Sequence, residues 1–271
     1  MTQPENTAVI APQWVLEPAG APVPVVACLP HGGREFPAEL AGDLVIRPDA
    51  LWADWLTREL YAFLPELGIT TVTTALSRFV ADVNRDPGSG HGAFWNTVVS
   101  AQQPNTGSPL YSRPLTPAEI GERVALAHEP FHRALDRVID GLLRVFPRLL
   151  LIDLHSFGRP HPGDVLLGDR RGLTARPQTV ALLSGALTRQ GFDVRLNERL
   201  IGGWTVQRFA AHDRIDAIQV ELSQRRYLDL KAPRTRPGPP PPRDFEATAA
   251  LLREVLATGV IAPLLAQYPP L

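Results

Sequence analysis

Short apolar runs alternate along this chain with stretches whose apolar positions fall at helical spacing, and each change of period predicts an element. Val25-Val26-Ala27-Cys28-Leu29 is apolar throughout and runs into Pro30-His31-Gly32-Gly33, which reads as a buried strand delivering a loop. Residues 50–64 carry Leu51, Trp55, Leu60 and Phe63 at helical intervals, so a helix is expected with those side chains inward. Residues 69–75 and 78–83, rich in Thr, Val and Phe, read as strands. From 86 to 117 glycine, proline, serine and asparagine recur without a sustained period, a composition that more often covers or lines a site. That stretch ends in a helix start: Thr116 to cap, Pro117 at the first position and Glu119 to complete a capping box. The helical pattern continues to about Val145, with a bend expected near Pro130.

Leu149-Leu150-Leu151-Ile152-Asp153-Leu154 is apolar on both faces, as a central strand covered by helices must be. A helix over 178–188, strands over 192–196 and 215–222, a proline-rich loop over 233–243 and a closing helix over 244–257 complete the pattern. The alternation predicts one three-layer α/β/α domain, residues 1–271, with a mainly parallel or mixed sheet and an extended arm over residues 1–23.

Composition narrows the class. At 44% hydrophobic and 20% charged the chain can bury a core, and a net charge of −1 gives no reason to expect nucleic acid or an anionic membrane as partner. Cys28 stands alone inside an apolar run and reads as a buried, inert thiol, so a multi-cysteine zinc site is ruled out. The first twenty residues lack the pattern of a secretion signal, and no uninterrupted apolar run approaches the ~18 residues of a membrane helix. A cytoplasmic protein is expected, with oligomeric state open.

The candidate chemistry collects where strands should end. His31 follows the first strand and His155 the central one, and ligands in open α/β sheets gather beyond the carboxyl ends of strands. Two imidazoles and one carboxylate, with a fourth position open to water, make a catalytic zinc arrangement; each histidine alone could equally serve as a loop hydrogen-bonder. Asp153, two residues before His155 and on the same strand face, is either its orienting partner or a strand-end charge. Gln219 and Glu221 share a face opposite Ile218, Val220 and Leu222, and a strand-end carboxylate beside an activated water can act as a general base. Arg78, Asn84 and Arg85 cluster in one segment, where a guanidinium could grip a carboxylate bidentately.

Taken in order, Pro30-His31-Gly32-Gly33, Ser77-Arg78-Phe79-Val80, Asp82-Val83-Asn84-Arg85, Phe131-His132-Arg133-Ala134-Leu135, Asp153-Leu154-His155-Ser156, Gly202-Gly203 and Gln219-Val220-Glu221-Leu222 resemble the N-formylglutamate amidohydrolase family, from about residue 25 to 230. The resemblance implies the three-layer fold of the related zinc carboxypeptidases, one zinc ion per chain and hydrolysis of an N-acyl amino acid carrying a carboxylate, such as N-formyl-L-glutamate. It implies His31 and His155 as ligands, Asn84 and Arg85 as the substrate clamp with Arg78 beside them, and Glu221 as base. Asp54, in Ala53-Asp54-Trp55, matches an acidic position of the family and is preferred as third ligand over Glu35, which falls one residue beyond the carboxypeptidase His-x-x-Glu spacing. Gly202 and Gly203 would let backbone approach the substrate, and Arg208 would polarise the carbonyl or bind a carboxylate. His132 reads as a structural hydrogen-bonder. Another deacylase or peptidase on this scaffold, or a carboxylate-binding protein without catalysis, are the alternatives.

Overall fold

A computed structural model describes residues 13–104, 106–233 and 237–271. In chain order its strands and helices are β1 (Gln13–Leu16), β2 (Val25–Leu29), α1 (Thr57–Leu60), β3 (Thr70–Thr74), β4 (His91–Gly92), β5 (Val99–Ser100), α2 (Pro117–Arg123), α3 (Glu129–Leu143) and β6 (Leu149–Phe157). There follow β7 (Val165–Gly168), α4 (Pro177–Arg189), β8 (Val194–Leu196), α5 (Trp204–Gln207), β9 (Ile215–Ser223), α6 (Phe245–Leu256) and α7 (Ala262–Gln267).

Seven strands form one sheet in the order β1-β3-β2-β6-β9-β7-β8. The pairs β2–β3, β2–β6, β6–β9 and β7–β8 are parallel, while β1–β3 and β7–β9 are antiparallel. The fold is therefore α/β with a mainly parallel, mixed sheet. Side-chain alternation sends Val25, Ala27, Leu150, Ile152, Ile218 and Val220 to one face, against Leu183 and Leu187 of α4 and Leu252, Val255 and Leu256 of α6. Val26, Cys28, Leu149, Leu151, Ile215 and Ala217 take the other, against Phe131, Leu135, Ile139 and Leu142 of α3. Helices thus cover both faces, and each fully buried side chain of this size contributes roughly 1.5–3 kcal/mol.

Along β6 and β9 the α3-facing side changes character. Leu149, Leu151, Ile215 and Ala217 are apolar, but the next same-face positions are Asp153, His155, Gln219 and Glu221, all buried. The register pairs Asp153 with Gln219 and His155 with Glu221. A polar patch is thereby built into the carboxyl ends of the two central strands, the position such sheets use for ligands. Cys28 is buried, and its thiol donates to Asp153 Oδ1 at 3.2 Å; burial and that carboxylate push its pKa well above the usual thiol range.

Several expectations need correction. The helix expected over 50–64 shrinks to α1, because the Asp54 amide donates to the His31 carbonyl (3.2 Å) and Leu56 turns into the left-handed region (φ 57°). The strand expected over 78–83 is a series of turns: Ser77 O accepts from Val80 N (2.9 Å), Asp82 N donates to Val98 O, and Arg78 pairs with Asp82 inside the segment. Residues 86–104 and 106–117 are not without structure. They hold the short parallel pair β4–β5, and Phe94, Val98, Val99, Leu110, Tyr111 and Leu115 form a third core cluster with Phe79 and Val80.

The capping box of Thr116 and Glu119 is present, and α2 passes through a π-helical turn, Val124–His128, into α3 just before Pro130. β6 continues to Phe157, so His155 lies within the strand rather than after it. The short β7 escapes sequence reading. Residues 13–16 of the expected arm pair as the edge strand β1, and residues 1–12, like 234–236 of the proline-rich loop, lie outside the described residues. The closing helix extends through a second π turn to Gln267; Phe245–Gln267 is long and apolar enough to cross a membrane by composition, yet Leu252, Leu256, Val260 and Leu264 pack into the core.

Candidate active site

His31 reaches the site because two glycines follow it. A Cβ on Gly33 would lie 2.5 Å from the Thr74 carbonyl oxygen, so the chain can cross the end of β3 only where no side chain intervenes. The Asp54 amide, bound to the His31 carbonyl, draws residues 51–56 over the same end of the sheet. Asp54 Oδ2 accepts from the Ser156 amide (3.1 Å), lies 3.1 Å from His155 Nδ1 and 3.7 Å from His31 Nδ1. All three side chains are buried.

The opposite nitrogen of each imidazole faces a carboxylate. His31 Nε2 is 2.6 Å from Asp82 Oδ1, and His155 Nε2 is 3.1 Å from Asp153 Oδ2. Burial opposes ionisation of Asp82, but Arg78, His31 and Arg85 outweigh it and hold the carboxyl well below the usual range. An ionised Asp82 makes His31 Nε2 the donor and leaves Nδ1 as a lone pair turned inward. Asp54 is likewise held low, burial being outweighed by its hydrogen bond to His155 and by the nearby His31 imidazole. Burial works against a charged His155, yet Asp153, Asp54 and Glu221 raise its pKa well above the ordinary value.

This arrangement fits a metal ion. Among the described residues, His31 Nδ1 and Asp54 Oδ1 are buried with no hydrogen-bond partner. Ligand atoms of His31, Asp54 and His155 lie within 4.8 Å of one another. Converging imidazole and carboxylate donors, backed by orienting carboxylates, are what a divalent transition metal prefers. Glu35, the alternative third donor, is exposed, with its main chain bridged to Leu76.

Glu221 is buried beside this group, and Gln219 Nε2 donates to its Oε1 at 3.0 Å. Burial pushes its pKa up to about 7; the charge of His155 opposes this, while Asp54 and Asp153 add to it. Asn84 is a hub: its amide nitrogen lies 2.9 Å from His155 Nε2 and 3.1 Å from Asp153 Oδ2, and its oxygen accepts from Thr205 N at 2.8 Å. A Cβ on Gly203 would lie 2.5 Å from Asn84 Cγ, so this glycine admits the asparagine against the backbone. Arg85 is half-buried, with Nη1 donating to the Asn84 carbonyl (2.9 Å) and a buried Nε without a partner among the described residues.

A cavity of about 870 Å³ opens over these groups. Its lining includes His31, Asp54, His155, Glu221, Asn84, Arg85, Arg78, Gly202 and Gly203, so nearly every residue singled out in the sequence meets there. Arg78 is occupied by Asp82 and stacks on Phe94 at 4.5 Å. Arg208 is not brought to the cavity. Its guanidinium donates to both Asp136 oxygens (2.9 Å) and to His132 Nδ1 (2.7 Å).

His132 Nε2 in turn donates to Val83 O (2.7 Å) and His128 Nε2 to Arg85 O (2.9 Å), so two histidines hold the main chain on either side of Asn84. Sequence reasoning assigned no role to Asp82, His128, Trp52, Trp95, Trp204, Arg170 or Arg199, all of which either line the cavity or hold its residues. For Asp82 a signal was present in its place beside Asn84 and Arg85; Trp52, Trp95, Arg170 and Arg199 lie on turns and loops with no period to read, while His128 and Trp204 sit in short helical turns whose contacts are made with distant segments.

A buried His/Asp/His group beside a carboxyl poised near neutrality, in a cavity at the sheet's carboxyl edge, is the arrangement of a hydrolase. Residues 23–228 match the N-formylglutamate amidohydrolase family. The chain belongs to that family and is a hydrolase acting on an amide bond. It is 30% identical over 250 residues to an N-formylglutamate deformylase of Pseudomonas aeruginosa, covering 86% of this chain and 91% of that one. It is 29% identical over 234 residues to an N-formylglutamate deformylase of Pseudomonas putida, covering 79% and 85%. The crystal structure of N-formylglutamate amidohydrolase from Ralstonia eutropha JMP134 superposes with a TM-score of 0.78 at 26% identity, over 95% of this chain and 99% of that one.

Proposed function

We propose that this chain is a zinc-dependent amidohydrolase that removes the N-formyl group from an acidic amino acid such as N-formyl-L-glutamate. The observation that carries the reading is the convergence of His31, Asp54 and His155 beside Glu221 in one cavity, in a chain whose relatives bear the deformylase name. His31, Asp54 and His155 would hold the ion. When bound, zinc supplies Lewis acidity, polarising a carbonyl and making water nucleophilic near neutral pH.

Glu221 takes the proton released by the attacking water and returns it to the leaving amine. Arg85, still a cation despite the burial that lowers its pKa, holds the substrate's α-carboxylate. Asn84, whose amide is already engaged, orients His155 and Asp153 rather than gripping substrate. Gly202 and Gly203 bring the second wall of the cavity close. Acting on a small free amino-acid derivative, the enzyme is read as cytoplasmic.

Glu221→Gln tests the role of the base. It should keep its metal while turnover of N-formyl-L-glutamate falls by about 10²-fold or more; near-native turnover would remove Glu221 from the chemistry. The cavity, with Trp52, Trp95 and Trp204 on its walls, also favours a second reading in which bulkier acyl groups are accepted. Acetyl and benzoyl analogues in the same assay decide between the two.

A further inference from the structure

Besides Arg85, four arginines line the cavity: Arg78, Arg159, which donates to Pro104 O and lies over Trp95, and the pair Arg170 and Arg199. Arg170 follows β7 and Arg199 follows β8; both line the cavity that contains His31, Asp54, His155 and Glu221. Among the described residues neither has an acidic partner, in contrast to Arg78, which is taken by Asp82. Arg170 Nη1 makes one hydrogen bond, donating to Gly202 O at 3.0 Å, and Arg199 is exposed.

The loops carrying them are built as one unit. Arg170 N donates to Ile201 O at 2.7 Å, Asn197 Oδ1 accepts from the amides of Asp169 and Arg171 at 3.2 Å, and Asn197 Nδ2 donates to Asp169 Oδ1 at 2.7 Å. Both arginines sit in left-handed backbone (φ 54° and 59°), a conformation uncommon for non-glycine residues. β7 pairs Gly168 with Gln219 and Leu166 with Glu221, so this wall adjoins the proposed base. Arg85 approaches the same cavity from the turn after Asp82, a different segment of the chain.

We infer that Arg170 and Arg199 form a second carboxylate subsite, which reads the side-chain carboxylate of a dicarboxylic N-acyl amino acid while Arg85 holds the α-carboxylate. The inference rests on the deformylase reading for its reaction, and adds the residues that make the substrate a diacid. A guanidinium without a protein acid keeps donors for an incoming anion, each guanidinium offers the forked geometry a carboxylate accepts, and Arg170 and Arg199 stand on one wall of the cavity. A neutral side chain would leave those cations facing it unpaired, so the subsite also selects against the amide analogue.

The test compares zinc-loaded native protein with Arg170→Gln and Arg199→Gln. The ratio of kcat/KM for N-formyl-L-glutamate over N-formyl-L-glutamine should fall roughly 10- to 100-fold in each variant, the range of a lost charge-assisted hydrogen bond. An unchanged ratio would overturn the subsite even if both rates dropped. Calorimetric binding of glutarate and butyrate gives a second readout without turnover. Glutarate should bind more tightly than butyrate to the native protein, and the variants should erase that preference; equal binding of the two acids by the native protein overturns the inference. If the native protein hydrolyses neither amide, the deformylase reading falls and the glutarate comparison still decides the subsite.

Discussion

Asp82 carries more of the site than its place in the sequence suggests. It meets His31 on one oxygen and Arg78 on the other, and its Oδ1 accepts the Asn84 amide at 2.9 Å. Losing its charge would leave His31 free to turn its lone pair away from Asp54, and Arg78 buried without its partner. Asp82→Asn should therefore weaken metal binding by about 10- to 100-fold, the usual effect of removing a carboxylate behind a ligand histidine. Competition with a chelator of known affinity measures this directly, and an affinity within threefold of native would reduce Asp82 to a structural partner of Arg78. The same logic separates Asp82 from Glu35. Glu35 is the acid near His31 in sequence, but the chain turns the distant Asp82 onto the imidazole and leaves Glu35 exposed. The place of Asp82 beside Asn84 and Arg85 is its one local signal, and the contact with His31, spanning 51 residues, is not legible from it.

At the scale of elements, the π turn at Val124–His128 and the helix α3 act as a brace. His128 and His132 stack at 4.5 Å, and each donates to a carbonyl flanking Asn84. His132 must be neutral to accept from Arg208 on Nδ1. Burial, with the charges of His128 and Arg208, lowers its pKa to about 3, and the backbone bond to Val83 only partly offsets this. Because the folded pKa lies below the unfolded value near 6.5, the preference for the neutral ring stabilises the fold fully above pH 6.5. That contribution is lost as pH falls from 6.5 towards 3, by up to about 1.4 kcal/mol per pH unit. His132→Asn removes the titrating ring, so the gap in Tm between native and variant should narrow as pH is lowered from 7 to 5. A gap that stays constant or widens would show that His132 carries a proton in the fold. Helical spacing made the run through α2 and α3 readable, the Thr116 and Glu119 pair marked the cap of α2, and His132 read as a structural hydrogen-bonder. The π turn was not readable: it keeps the apolar period of a helix, and the contact its His128 makes is with a carbonyl 43 residues away.

The whole molecule shows the same division. Period-two alternation was enough to place Asp153 with His155 and Gln219 with Glu221 on one face, and parallel pairing of β6 with β9 then set the two pairs side by side. Asp54 became readable only through family resemblance, for its approach to the histidines depends on a main-chain bond to His31 that displaces a helix. The assembled result gathers Asp54, Asp82, Asp153 and Glu221 around two imidazoles and two guanidiniums in buried surroundings. His31 Nδ1 and Asp54 Oδ1 lack partners there, a desolvated arrangement that a cation would relieve. A ligand that binds only the folded state raises stability by RT ln(1 + [L]/Kd), about 2.7 kcal/mol at a hundredfold excess over Kd. For a chain of this length that is a rise in Tm of about 5 °C. Adding zinc to chelator-treated protein should produce that rise, and the shift should vanish in His31→Ala and His155→Ala, each compared with its own metal-free form so that loss of stability from the substitution cancels. A shift that persists in both variants would place the ion elsewhere, and none in the native protein would make the group a hydrogen-bonded cluster without a metal.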